Sequence, residues 1–339
     1  MRPTFHPRLV NGPFGDPVLL VRLLTMGRNL LMDLGDLHGL PARPVLRATH
    51  GFVTHTHMDH FCGLDTVVRY SLGRDRTFRV VGPSGIADRA EGKLRGYTWN
   101  LVGSYEASFT LEVLEWAAPQ GRLWRFPCGK GFPREDVGEV CLEEELPGIR
   151  VVHREAAFRV LAVELDHQVP CLAYALEEPV HVNVSRDGLG RLGLSPGPWV
   201  RGLKEAVLRD AGPGELVCLP GGASRPLGEL LEAGAVLRSE GQKLAYVADC
   251  LWEPRGAGRA EALCRGAHAL YCEAAFLSRE EDRARERYHL TAAQAGELAR
   301  RAGVGELRIF HFSPKYRGRE TELLAEAAEA FGGPVALGP

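Results

Sequence analysis

Thr54-His55-Thr56-His57-Met58-Asp59-His60 decides the reading of this chain. The short apolar run Gly51–Thr54 reads as a strand that delivers the histidines. On an extended segment, residues two apart project to the same side, so His55 and His57 point together. Asp59 and His60 follow where the chain turns toward a helix. Four nitrogen or oxygen donors within six residues suit a borderline divalent metal, zinc above all. The bland alternative, ordinary surface or core histidines, needs this spacing to arise by chance.

Six residues cannot complete two coordination shells, so further donors must come from later strand ends. Three positions offer them. His167 lies in Leu165-Asp166-His167-Gln168-Val169-Pro170, between the strand candidates Leu161–Leu165 and Cys171–Leu176. Asp249 closes the apolar strand Lys243–Val247, and His311 closes the strand Leu307–Phe310. Alone, His167 reads as a structural histidine and Asp249 as a strand cap. His311, wedged between Phe310 and Phe312, calls for a partner.

The remaining pattern is strand-rich with helices after each strand group. Pro17–Leu24 and Asn29–Leu34 read as a hairpin around Gly27, and Phe78–Val81 and Ala269–Cys272 as further strands. Thr291–Ala302 carries a capped helical pattern, and Glu320–Phe331 is amphipathic. This order predicts an α/β fold with two packed sheets and helices outside. Two stretches interrupt it. The stretch 118–146, rich in Gly, Pro and charge, reads as a loop or lid, and 179–242, with its Gly-Pro clusters, as a projecting arm.

Composition narrows the function classes. The chain has 339 residues and a formal charge of -2, so no global positive field draws it to nucleic acid. A nucleic-acid substrate would need a local basic patch, for which the arginine-rich stretch Arg69–Arg95 is one candidate. No apolar run is long enough to span a membrane. Met1–Pro7 lacks a charged-then-apolar leader, so the expected location is the cytoplasm. The eight cysteines include no Cys-x-x-Cys pair, which argues against disulfides and against a thiolate zinc site.

The His-x-His-x-Asp-His cluster followed by His, Asp and His resembles the metallo-β-lactamase superfamily. Within it, five stretches resemble the ribonuclease Z branch, the tRNA 3′-processing endonucleases. They are His311-Phe312-Ser313-Pro314-Lys315-Tyr316, Asp166-His167-Gln168-Val169-Pro170, Ser195-Pro196-Gly197-Pro198, Glu273-Ala274-Ala275-Phe276 and His289-Leu290-Thr291-Ala292-Ala293. The resemblance implies an αββα four-layer sandwich over 1–339 with two mixed sheets, an arm within 179–242 and a variable insertion at 118–146. It implies two zinc ions per chain, with manganese as the alternative. His55, His57 and His167 would hold the first, Asp59, His60 and His311 the second, and Asp249 would bridge. Asp59 would also serve as general base, His289 would face the scissile phosphate, and Glu273 would orient His289.

The implied reaction is hydrolysis of a phosphodiester by a metal-bridged hydroxide, removing the 3′ trailer of precursor tRNA. It also implies a homodimer in which one subunit's arm serves the other's site. Pro196, Gly197, Pro198, Arg201 and Lys204 would contact the substrate. From Asn183 to Glu205, however, four basic side chains face two acidic ones, a modest grip on phosphates, and an ordinary surface hairpin is the other reading. His289 could equally cap its helix, and Glu273 could be a strand-end charge. The Gly-Thr-rich strand end usual in the family is absent from Val10-Asn11-Gly12-Pro13-Phe14-Gly15-Asp16. A small-molecule phosphodiesterase, for example on cyclic nucleotides, and an inactive RNA-binding module remain the competing readings.

Overall fold

The structure is a computed structural model that describes residues Thr4–Gly338. The start of the Met1–Pro7 stretch, Met1–Pro3, lies outside the described residues. The chain divides into two compact units. The larger holds Phe5–Val152, Leu161–Ala175 and the chain from Leu244 onward. The smaller holds Thr4, His153–Val160 and Leu176–Lys243.

Two eight-stranded sheets build the larger unit. In the first, strands follow chain order: Phe5–Leu9, Leu19–Leu23, Arg28–Met32, Ala48–Phe52, Arg76–Gly82, Phe109–Ala117, Gln120–Pro127 and Glu135–Cys141. Arg28–Met32 through Phe109–Ala117 run parallel, and hairpins close both ends. In the second, the parallel strands Lys243–Val247, Ala269–Glu273, Leu307–Phe310 and Val335–Leu337 lie side by side. The antiparallel part of that sheet, including Arg159–Asp166 and Pro170–Glu177, continues from Lys243–Val247. Parallel strands covered on both faces need near-continuous apolar runs, and Leu-Ala-Tyr-Val at 244–247 supplies one, all four residues buried.

Helices cover the outer faces. Val45, Leu64, Val67, Ile86 and Leu94 pack from the helices Ala42–Arg47, Leu64–Ser71 and Ile86–Arg95 onto Leu31, Phe78, Val80 and Leu111 of the first sheet. Leu263, Ala295, Leu298 and Leu323 pack from Pro254–Cys264, Ala292–Ala302 and Glu320–Phe331 onto the second. Between the sheets, the Tyr174 hydroxyl donates to the Val53 carbonyl at 2.7 Å and the Tyr246 hydroxyl to Asp33 Oδ2 at 2.9 Å. The result is the αββα sandwich. The helix expected from Thr291 begins at Ala292, and Thr291 caps it. Its hydroxyl accepts from the Gln294 N–H at 3.2 Å while Gln294 Oε1 accepts from the Thr291 N–H at 2.9 Å, a reciprocal cap worth about 1 kcal/mol.

The stretch 118–146 is not a loop or lid. It forms Gln120–Pro127 and Glu135–Cys141, which extend the first sheet antiparallel to Phe109–Ala117. Gly121 and Phe126 turn inward while Arg122 and Arg125 face out, so the arginines that suggested a loop line the solvent side of a strand. The smaller unit pairs Val180–Val184 with Val236–Glu240 and Leu216–Cys218 with Ser224–Pro226. Leu189, Leu203, Val207, Leu227 and Leu230 form a core of its own.

Candidate metal centre

The site collects at the carboxyl ends of parallel strands, where loops can converge. After Ala48–Phe52 the chain passes Val53 and Thr54 to His55, and the four-residue helix Met58–Phe61 carries Asp59 and His60. The ends of Lys243–Val247, Ala269–Glu273 and Leu307–Phe310 deliver Asp249, Glu273 and His311. His167 comes from the turn between Arg159–Asp166 and Pro170–Glu177.

These residues meet. His55, His57 and His167 present donor atoms within 4.8 Å of one another, and so do Asp59, His60 and His311. Asp249 lies between the two groups. Its Oδ2 is 3.8 Å from His55 Nε2, 3.4 Å from His60 Nε2 and 3.6 Å from His167 Nε2, and its Oδ1 is 2.9 Å from His311 Nδ1. His60 Nε2 makes no hydrogen bond, and the 2.9 Å contact of Asp249 Oδ1 with His311 Nδ1 is an ion-pair distance without hydrogen-bond alignment, although all three atoms are buried. Buried polar atoms that converge unsatisfied are costly unless something binds them, and nitrogen and carboxylate donors at this spacing fit a divalent cation.

Supporting contacts aim the imidazoles. His60 Nδ1 donates to Asp33 Oδ2 at 2.8 Å, which leaves Nε2 for the centre. His167 Nδ1 donates to the Tyr288 carbonyl at 2.8 Å, and His55 Nδ1 lies 3.1 Å from the Thr54 hydroxyl. That hydroxyl and the Thr54 N–H both donate to the fully buried Asp33. Asp33, Gln168, Tyr288 and His311 all sit at positive φ, between 55° and 60°. Non-glycine residues avoid this region, so the backbone is strained at these four turns, which bring Asp33, the Tyr288 carbonyl and His311 to the site and leave Gln168 exposed beside His167.

Charge follows from the geometry. Burial and the neighbouring His60 drive His55 down to about 2 and leave it neutral. Burial opposes protonation of His60 too, but the Asp249 and Asp33 carboxylates hold it well above the ordinary histidine value. Against burial, Asp249 pushes His311 up to about 10. The Asp249 carboxylate thus favours a proton on both imidazoles that face it, His60 and His311.

His289 sits beside these groups. Its Nδ1 contacts Glu273 Oε2 at 2.8 Å, and its ring lies 5.2 Å from that of His167 and 5.6 Å from that of His311. Burial lowers its pKa, but the fully buried Glu273 outweighs that and raises it. Glu273 Oε1 also accepts from the Cys250 N–H at 2.8 Å, so one carboxylate holds both His289 and the segment after Asp249. Asp249, Glu273, His289 and His311 are close enough to form a donor group of their own.

Asp33 and the Tyr288 carbonyl are contributors that the sequence reading did not single out. Asp33 follows an apolar strand, the same signal that Asp249 carries, but without a neighbouring metal-ligand motif. The loop Val10–Asp16, where the Gly-Thr-rich motif is absent, is held in place differently. The Pro13 carbonyl accepts from the Phe312 N–H at 2.8 Å, the Phe14 and Phe312 rings meet edge-on at 5.4 Å, and Asn11 Nδ2 donates to the Asp16 and Asp36 carbonyls. In the smaller unit, Pro196, Gly197 and Pro198 precede the helix Val200–Leu208, which carries Arg201 and Lys204. Arg201 pairs with Glu205 at 2.8 Å, and burial lowers the Lys204 pKa.

Solved structures share this fold. The metallo-beta-lactamase fold protein YhfI from Bacillus subtilis superposes with a TM-score of 0.56 at 14% identity, covering 98% of each chain. Human tRNase Z, short form, gives a TM-score of 0.56 at 20% identity, covering 91% of this chain and 94% of that one. The fold is thus the metallo-β-lactamase fold. Ribonuclease Z of Deinococcus radiodurans is 35% identical over 306 residues, 89% of this chain and 87% of that protein. The chain belongs to the ribonuclease Z family. No family model matches it. Among the described residues no helix is long and apolar enough to cross a membrane.

Proposed function

We propose that the chain is a dinuclear zinc endonuclease that removes the 3′ trailer from precursor tRNA. The observation that carries this reading is the pair of donor groups, His55/His57/His167 and Asp59/His60/His311, with Asp249 within 4 Å of both. These residues would hold two zinc ions, with manganese as the alternative. Bound there, two divalent ions acidify water and offset charge on the phosphate.

The protein's own groups do the rest. Asp59, whose side chain keeps 43% exposure, takes the proton of the attacking water as general base. Attack forms a new phosphorus–oxygen bond and breaks the bond to the upstream 3′ oxygen, which leaves as a 3′-hydroxyl on taking up the proton Asp59 accepted, while the phosphate stays on the trailer. His289, protonated against Glu273, faces the scissile phosphate and offsets the charge growing on its non-bridging oxygens. The 179–242 stretch would grip the substrate through Pro196, Gly197, Pro198, Arg201 and Lys204. With Arg201 paired to Glu205, the shape of the Pro-Gly-Pro turn contributes more than net charge. The family resemblance supports a homodimer, which light scattering tests, and the cytoplasm is the compartment this substrate implies.

The test is purified protein with zinc or manganese on precursor tRNA and on bis(p-nitrophenyl) phosphate. Cleavage of both is expected. Cleavage of the small ester alone assigns a small-molecule phosphodiesterase instead, and no cleavage at full metal occupancy leaves an inactive binding module.

A further inference from the structure

Beside the metal centre lies a groove that the chemistry above does not use. It is a cleft of about 600 Å³ in the larger unit, with Leu64, Val68 and Leu72 along its apolar floor. Its lining runs close to the backbone of the helix that carries Asp59. Cys62, in the lining, is three residues beyond Asp59, and three residues of helix rise about 4.5 Å. Asp36, also in the lining, follows Gly35, where an added Cβ would lie 2.6 Å from the Asp59 carbonyl.

The lining also holds two aromatic rings. Tyr97 is 54% exposed, and its ring meets that of Trp99 at 5.9 Å and 66°. Trp99 is braced against Phe132 at 4.6 Å, and its indole N–H donates to the Leu94 carbonyl at 2.8 Å. Its one polar atom is thus satisfied within the protein, and the ring serves as a platform. The groove's charges are not equivalent. Lys93 is tied to Asp65 at 2.9 Å, and Asp36 to His38 at 2.6 Å. Arg69 is exposed and carries no ion pair among the described residues.

An apolar floor, an exposed tyrosine beside a half-buried tryptophan, and an unpaired arginine suit one ligand class, a single strand of nucleic acid. Its bases stack on aromatic faces and its phosphates meet the cation. Asp36 and Asp65 offer acceptors to exocyclic amino groups of bases. We propose that this groove holds the first nucleotides of the 3′ trailer, with bases against Tyr97 and Trp99 and a phosphate beside Arg69. The inference rests on the tRNA-processing reading and adds to it the route by which the released strand leaves the centre.

The test compares two precursor tRNAs, one with a single-nucleotide trailer and one with a trailer of about eight nucleotides, within the span of single-strand sites. Tyr97→Ala and Arg69→Ala change exposed side chains, and their melting temperatures check that they fold. Each is expected to raise KM for the long-trailer substrate about tenfold, a loss typical of removing one stacking or phosphate contact. Neither should change the long-trailer kcat, and the preference of wild-type protein for the long trailer should disappear. Equal losses on both substrates, or no loss on either, overturn the groove assignment while leaving the tRNA reading intact. Wild-type protein that cleaves neither precursor removes the tRNA reading, and the groove assignment falls with it.

Discussion

Replacing Asp33 by asparagine swaps one carboxylate oxygen for an amino group in a pocket built from donors. Asp33 Oδ2 faces His60 Nδ1 at 2.8 Å and the Tyr246 hydroxyl at 2.9 Å, and Oδ1 faces the Thr54 N–H at 2.7 Å. Either amide orientation sets an N–H against another donor. With nitrogen at the Oδ2 position, His60 must shift its proton to Nε2, the atom directed at Asp249 and the proposed second metal site. Loss of such a supporting partner typically weakens metal affinity ~10–100-fold, about 1.4–2.7 kcal/mol. One buried donor left unsatisfied costs a further ~1–3 kcal/mol of stability in the metal-free protein. Zinc affinity measured against a competing chelator reads the first effect, and denaturant unfolding of metal-free protein reads the second. Tyr246→Phe, which keeps the His60 contact, should move affinity far less. An Asp33→Asn protein that binds zinc within about twofold of wild type would refute this account of His60.

Asp59→Ala should abolish turnover more thoroughly than it weakens tRNA binding. Steady-state kinetics that leave turnover within about tenfold, only ~1.4 kcal/mol, contradict its role. His289→Ala should lower kcat with metal content unchanged, and elemental analysis showing metal loss would make His289 a ligand, as its closeness to Asp249 and His311 permits. Metal uptake at pH 7 should release protons. Against the pull of burial, Asp249 pushes His311 up to about 10 and, with Asp33, holds His60 high, so both carry protons until a cation displaces them. The expected release is about two protons per chain, and affinity should fall as pH falls. Calorimetry in two buffers of different ionisation heat counts the protons, and a count near zero contradicts the assignment.

The donor set was legible because its chemistry demands rare residues at strand ends. The His55–His60 spacing announces a metal, and Asp249 and His311 each close an apolar strand. Asp33 closes one too, yet its role depends on Tyr246 and Thr54 reaching it from elsewhere in the chain, which no local pattern encodes. The Tyr288 carbonyl is backbone and carries no sequence signature at all. The stretch 118–146 misled because Gly and Pro at its turns outweighed the weaker alternation of Gln120–Pro127, whose partner strand Phe109–Ala117 holds it in the sheet. Of the groove, the sequence shows only the basic stretch Arg69–Arg95, because Tyr97 and Trp99 belong to no motif and join Arg69 only through the fold.

The central claim is that one nest of side chains holds two cations. Diffraction from zinc-loaded crystals, collected above and below the zinc absorption edge, tests it most directly. The account predicts two anomalous peaks per chain, one among His55, His57 and His167 and the other among Asp59, His60 and His311, with Asp249 touching both. A zinc-saturated protein with no peak beside His55 or His60 would contradict it.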